Sequence, residues 1–362
     1  MPVAVDVMGG DFGPAPVIKG AIKATKKFKI PVTLVGDINQ INKYLKKYRS
    51  QKNPLINIKH CNDYIKMEDS PVRAVRNKSD SSIIVSYNLI KDQICSSVVS
   101  TGNTGAVMVT GSLILKLMPG INRPAIATLI PKAGPFKHTV LLDSGANVDC
   151  RVEQLAQFAL MGSAYAEIIL DKKDPRVALL SNGSEESKGN DIIRAASTKL
   201  KSISNLNYVG FIEGKDIPQD KMDVIVCDGL IGNIVLKTME GGVKLIFDSL
   251  KYLAKKTIRG KIGMLISKPV FKLLFKQKLD PASYGGAPLL GLNGISIVCH
   301  GSSNAKAVMN AIKLADRLAS NNLEKKMLKS LSAEYNTFNT DLEDNVYNEF
   351  SSGFKKNKNK QK

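Results

Sequence analysis

Four loops in this chain share one design: an apolar run, then glycine with Ser, Thr, Asn or Asp, then a helical pattern. They are Asp6-Val7-Met8-Gly9-Gly10-Asp11, Ser100-Thr101-Gly102-Asn103-Thr104-Gly105-Ala106, Asp143-Ser144-Gly145-Ala146-Asn147 and His300-Gly301-Ser302-Ser303-Asn304-Ala305-Lys306. Glycine lets backbone N–H groups turn inward, and a helix N-terminus adds unpaired donors and the positive end of its dipole. Together they suit a phosphate or an oxyanion. One such loop is an ordinary helix cap; four in one chain point to a phosphate-handling site. None matches the nucleotide P-loop, and none has the spacing of a dinucleotide fingerprint.

Two further loops carry chemistry of other kinds. Residues 181–190 place Lys188 among polar groups, where a point charge can pair with an anionic substrate or simply face water. Residues 226–237 place Asp228 at the end of a strand and Asn233 at the opening of a helix; Asp228 also reads as a turn or capping residue. Of the three histidines, His60 and His138 sit beside strands and read as structural. His300 stands in a strand-to-helix loop and is the candidate acid, base or phosphate donor. No motif supplies a nucleophile, and no cysteine or histidine cluster suggests a metal.

The elements that position these loops alternate. Apolar runs at 3–7, 32–36, 55–59, 97–100, 125–130, 138–143, 176–180, 207–211, 223–227 and 295–299 read as strands. Helical patterns follow most of them, notably 14–27, 152–170 and 304–319. Alternation of this kind predicts an α/β fold with a mainly parallel sheet sandwiched by helices, and a site at the carboxyl ends of the strands. Residues 1–330 read as a single α/β unit that can divide into two subdomains, and 331–362 as a polar, basic and frayed tail. The first residues read as a strand and not as a signal peptide.

The chain has 362 residues, 43% of them hydrophobic, with a formal net charge of +20. That composition excludes a mainly disordered polymer. The charge is localised: residues 251–280 hold nine basic residues and one acid, and 355–362 hold five Lys and no acid. From Pro269 onward the first of these segments predicts a short helix with Lys268, Lys272 and Lys276 on one stripe. Phe271, Leu274 and Phe275 occupy the remaining arc, and Leu265 and Ile266 extend the apolar surface before it. Such a helix can lie in an anionic membrane interface, or bury its apolar arc in the core or a dimer contact.

The loops, in this order, together with Asp228-Gly229, Gly232-Asn233-Ile234-Val235-Leu236-Lys237 and Tyr284-Gly285-Gly286-Ala287-Pro288-Leu289-Leu290-Gly291, resemble the bacterial phosphate acyltransferases of phospholipid synthesis over about residues 1–320. Phe12 and Leu230 depart mildly from that pattern. The resemblance implies transfer of a fatty acyl group from acyl-[acyl-carrier-protein] to inorganic phosphate, with no metal or organic cofactor. It implies a fold like the isocitrate/isopropylmalate dehydrogenases and phosphotransacetylases, and a homodimer. It also implies delivery of the acyl phosphate to a membrane glycerol-3-phosphate acyltransferase. With the basic segment, it points to a cytoplasmic protein peripherally associated with the inner face of the membrane. Phosphate is itself the nucleophile, in keeping with the missing triad. On this reading Lys188, Ser302, Asn304 and Lys306 bind phosphate, with Gly102, Gly105 and Asn233 in the cradle. Asn103, Thr104 and Asn147 orient the thioester adduct, and Asp228 and His300 orient groups or manage protons.

Three rivals stand beside it. An acetyl- or butyryl-CoA:phosphate acyltransferase would share the phosphate chemistry and differ in the carrier. A decarboxylating dehydrogenase of the same fold would need a carboxylate cluster for a divalent metal. A basic membrane- or nucleic-acid-binding protein would explain the charge alone, but Arg is scarce, Trp is absent and no nucleic-acid-binding motif appears.

Overall fold

The computed structural model describes residues 1–134, 137–274 and 281–332; the side chains of Lys272, Leu274 and Pro281 fall outside the description. Two sheets organise the chain. In the first, β1 (Val3–Asp6), β2 (Val32–Gly36), β3 (Ile56–His60), β4 (Ser97–Ser100) and β12 (Ile295–Val298) run parallel. The order is β3-β2-β1-β4-β12, and β11 (Ala287–Leu290), antiparallel to β12, and β5 (Ala125–Ile126), antiparallel to β11, complete the edge. The second sheet has the order β6-β7-β10-β8-β9. Here β7 (His138–Leu142), β8 (Val177–Leu180), β9 (Tyr208–Ile212) and β10 (Val224–Val226) are parallel, and β6 (Thr128–Pro131) is antiparallel. The α/β reading holds. The apolar run 125–130 is two strands, not one: the chain leaves the first sheet at Ile126 and enters the second at Thr128. Between them, Ala127 N–H donates to Pro288 O.

Period-two alternation places the cores. Val3 and Val5 of β1 face α1 (Pro14–Phe28) and α10 (Ala305–Ser320), where Ile18 and Ile312 are fully buried. Ala4 faces the other way, toward α4 (Ser82–Lys91) and α5 (Thr104–Ile114). On the second sheet Leu142, Val177 and Val224 pack against α6 (Val152–Ile169), whose Phe158 and Tyr165 are fully buried. Truncating a buried aromatic of that size to Ala typically costs about 3–5 kcal/mol. The opposite face carries Leu141, Ala178 and Ile225, and there Val235 and Met239 of α8 (Gly229–Lys255) cover it.

The chain also forms α2 (Ile38–Lys47), α3 (Pro71–Asn77), α7 (Asp191–Ser202) and α9 (Ile258–Leu274). Helix α9 starts eleven residues before Pro269, which lies inside it and not in its first turn. Over residues 251–274 the basic stretch is therefore the end of α8, then α9, packed as a hairpin in which Phe247 and Phe271 meet edge to face at 5.8 Å. Leu265 and Ile266 are about 70% exposed, at 69% and 72%. Phe275, Lys276 and residues 333–362 of the expected tail lie outside the described residues. No helix among the described residues is long and apolar enough to cross a membrane.

Candidate active site

The carboxyl ends of β1, β4 and β12 are neighbours in the first sheet, so three of the four glycine loops are brought side by side by topology alone. Buried Asp6 ends β1 and accepts the Ser100 hydroxyl (2.7 Å) and the Met8 N–H (3.2 Å). Ser100 Oγ in turn accepts the Gly102 N–H at 3.0 Å. Burial raises the Asp6 carboxyl above its ordinary range, against the hydrogen bonds that lower it. This chain of bonds fixes the start of α5. Asn103 caps that helix through Oδ1 to Ala106 N–H (3.1 Å), and its amide donates to Met67 O and Asp69 O. Its side chain is spent on holding loops together. Gly102 and Gly105 serve close packing; a Cβ on Gly105 would come within 2.6 Å of Pro71.

The third loop follows β7 in the second sheet. Asp143 is fully buried and its carboxylate accepts the N–H groups of Ile126 (3.1 Å), Gly145 (3.1 Å), Ala146 (3.0 Å) and Asn147 (2.7 Å). The Asn147 amide spans Asp143 and Pro124 O, each at 2.8 Å. Helix α8 starts directly on this loop: Gly229 N–H donates to Asn147 O at 2.7 Å. A Cβ at Gly232 would fall 1.8 Å from Asp143 O, so only glycine allows the approach. Asp228 caps α8 through Oδ1 to Ile231 N–H (2.8 Å); Asn233 lies one turn inside the helix and does not open it.

A cleft of about 840 Å³ opens between the two sheets. Of the residues expected from the sequence, Thr104, Asn233, His300, Ser302 and Asn304 line it. They come from the starts of α5 and α10, from the β12 loop and from the second turn of α8, so two helix N-termini converge on one space beside the flank of a third helix. Asn304 caps α10, accepting from Lys306 N–H (2.9 Å) and Ala307 N–H (3.1 Å). Asn147, Asn103, Asp228, Gly102 and Gly105 stand behind the cleft wall in capping, bracing and packing roles. Lys306 donates to Ser283 Oγ at 2.8 Å and is not part of the wall. Lys188 is exposed, with its stem folded over Gly183, and the cleft does not include it.

Residues not singled out one by one from the sequence complete the wall: Ser144, Gly145, Thr128, Lys237, Glu240 and Tyr284. Ser144 and Tyr284 lie in the glycine-bearing runs, and Lys237 and Glu240 follow Asn233 at helical spacing; that spacing was the available signal. Lys237 and Glu240 pair at 2.8 Å. Beyond the polar end the wall turns apolar, with Leu129, Ile130, Leu236, Met239 and Val243. Cys299 also reaches the wall, but burial pushes its thiol up to about 12 and it donates to Gly285 O, so it is no thiolate nucleophile.

The arrangement can hold an anion at the convergent helix ends and an apolar group beside it. Residues 1–326 match the family model described as a fatty acid synthesis protein. The chain is 47% identical over 344 residues to the phosphate acyltransferase of Syntrophotalea carbinolica, covering 95% of this chain and 96% of the relative. It is 46% identical to that of Geotalea uraniireducens, with 95% and 98% covered. The fold is similar to that of a phosphotransacetylase from Streptococcus pyogenes, with a TM-score of 0.61 at 18% identity over 89% of this chain and 94% of that one. This chain therefore belongs to the phosphate acyltransferase family, enzymes of lipid biosynthesis that transfer an acyl group to phosphate.

Proposed function

We propose that the acyl donor is a long-chain acyl-[acyl-carrier-protein] thioester, that bound inorganic phosphate attacks it directly, and that the acyl phosphate supplies phospholipid synthesis. The observation that carries this reading is the two-part cleft: the N-termini of α5 and α10 with Asn233 of α8 at one end, and Leu129, Ile130, Leu236 and Met239 along the other. Phosphate at the polar end needs position and charge, not activation. A phosphate oxygen forms the C–O bond to the thioester carbon, and the carbonyl π pair moves onto oxygen. The C–S bond then breaks as the carbonyl re-forms, and the carrier thiolate leaves. Donors on the transient oxyanion are worth about 2.7–4 kcal/mol each. Thr104, Asn233, Asn304 and the N-terminus of α10 support the phosphate, and Asn147 acts indirectly, by bracing the loop that presents Ser144 and Gly145. Lys306 enters only as positive charge at the start of α10, and Lys188, outside the cleft wall, is assigned no contact with phosphate.

Docking belongs to the same reading. The α8–α9 hairpin exposes Leu265, Ile266 and Val270 beside Lys261 and Lys268, a surface suited to an anionic leaflet. Its charge also suits an acidic carrier protein, and the exposed upper part of α8 suits a second copy of this chain in a homodimer. Delivery to a membrane glycerol-3-phosphate acyltransferase follows from a product made at that surface. The test is a comparison of palmitoyl-carrier protein with acetyl-CoA and butyryl-CoA at one phosphate concentration. A kcat/KM at least a hundredfold higher for the carrier thioester is expected; preference for a short CoA ester contradicts the reading.

A further inference from the structure

His300 and Ser302 form a local pair at the mouth of the cleft. The Ser302 backbone N–H donates to His300 Nδ1 at 3.2 Å, and Ser302 Oγ lies 2.7 Å from the same nitrogen. A backbone N–H can only donate, so Nδ1 is an acceptor and carries no proton. The hydroxyl then donates to it as well. In the neutral ring the remaining proton sits on Nε2. Nε2 has no protein partner among the described residues, and the ring lines the cleft where Asn304 and the start of α10 also face it. A proton on Nδ1 would point at the Ser302 backbone N–H, which cannot accept it.

We infer that Ser302 is a positioning residue that fixes His300 as the Nε2–H tautomer, a hydrogen-bond donor to the thioester oxygen in the cleft. The role rests on the acyl-transfer reading above and deepens it. His300 gives no proton away: its N–H follows the carbonyl oxygen as that oxygen becomes an oxyanion, and the leaving thiolate takes its proton from water. Ser302 is thereby moved from the set of phosphate ligands to the support of a neighbouring ring. Glycine at 301 and the Asn304 cap fix the backbone turn that lets residue 302 reach back to residue 300.

Two readouts test this. The chain has three histidines, so ¹⁵N-histidine spectra of the whole protein are simple, and loss of one set in His300→Gln assigns the third. The expected spectrum of the neutral ring has a pyridine-type Nδ1 and a pyrrole-type Nε2; a protonated Nδ1 overturns the inference. In kinetics with palmitoyl-carrier protein and phosphate, Ser302→Ala keeps the backbone donor. It is expected to lower kcat on the order of tenfold, less than the 10²–10³-fold typical of losing a donor outright, with KM for phosphate unchanged. Ser302→Thr restores kcat. A raised phosphate KM with unchanged kcat in Ser302→Ala makes Ser302 a phosphate ligand and overturns it. The spectra need no substrate: a wild-type enzyme inactive on that thioester overturns the substrate reading, while the spectra still decide the tautomer.

Discussion

Asn147 grips the Asp143 carboxylate twice, through its backbone N–H at 2.7 Å and its side-chain amide at 2.8 Å. Both residues are buried. The pair is the brace between β7, the segment that crosses between the sheets and the start of α8. Its effect on catalysis passes through the loop it holds, since the Asn147 amide is fully engaged by Asp143 and Pro124. Asn147→Ala leaves the Pro124 carbonyl without its donor and is expected to cost about 1–3 kcal/mol in urea unfolding. Acyl transfer should fall with it through kcat, because Ser144 and Gly145 line the cleft on the same loop.

Two caps of the same kind separate stability from function. Asn304 caps α10 at the cleft, and Asn190 caps α7 away from it, accepting Ile193 N–H at 2.9 Å. Each change to Ala is expected to cost about 1 kcal/mol of stability. Only Asn304→Ala should raise the KM for phosphate, on the order of tenfold, in initial-rate measurements. Equal phosphate KM values in the two variants would remove the α10 terminus from the phosphate cradle.

The amino ends of β8 and β10 carry a charge network whose members do not line the cleft. Asp223, 1% exposed, accepts from Lys172 (2.6 Å), Lys132 (3.0 Å) and Arg176 (3.0 Å). Burial pushes its carboxyl up, but these bonds outweigh burial and hold it well below the usual carboxylate range. A depressed folded value means that the stabilisation is complete above the unfolded value of about 3.9 and is lost as pH falls below it. Asp223→Asn is expected to cost about 3 kcal/mol at pH 7, with a smaller deficit at pH 3. Urea titrations at the two pH values measure it; a deficit that grows in acid would have the sign wrong.

On α9, Leu265 and Ile266 are exposed apolar residues that precede Lys268. Sedimentation with phosphatidylglycerol vesicles is expected to carry the protein down at low salt and much less at high salt, each Lys near the surface adding about 1 kcal/mol. Leu265→Glu with Ile266→Glu should abolish the binding and leave acyl transfer in solution intact. Binding unchanged in that variant would assign the hairpin face to another partner.

The glycine loops were legible because each combines an apolar strand with a Gly/Ser/Asn helix start, and parallel strands put such loops on one edge. The convergence of Thr104, His300, Ser302 and Asn304 needed only that rule; Asn233 reaches the cleft from the second sheet, through α8. The pairing within the loops was not legible. An asparagine at a helix start can offer its amide to a ligand or spend it on Met67 and Asp69, as Asn103 does, and spacing alone does not say which. Lys188 looked well placed because its loop follows a strand, but its stem folds over Gly183 in a part of the second sheet that the cleft does not reach. The break between β5 and β6 lay hidden in an unbroken apolar run, since the change of sheet is set by the long-range bonds of Ala127 to Pro288 and Ile126 to Asp143. Proline suits the first turn of a helix, but α9 carries Pro269 in its interior on an exposed hairpin.

The most direct measurement is the release of carrier thiol from palmitoyl-carrier protein, followed with and without inorganic phosphate, alongside the yield of acyl phosphate from labelled phosphate. Direct attack by bound phosphate predicts no thiol burst without phosphate, and one acyl phosphate per thiol with it. A stoichiometric burst in the absence of phosphate would reveal an acyl-enzyme, and thiol release without acyl phosphate a hydrolase; either result would contradict the mechanism.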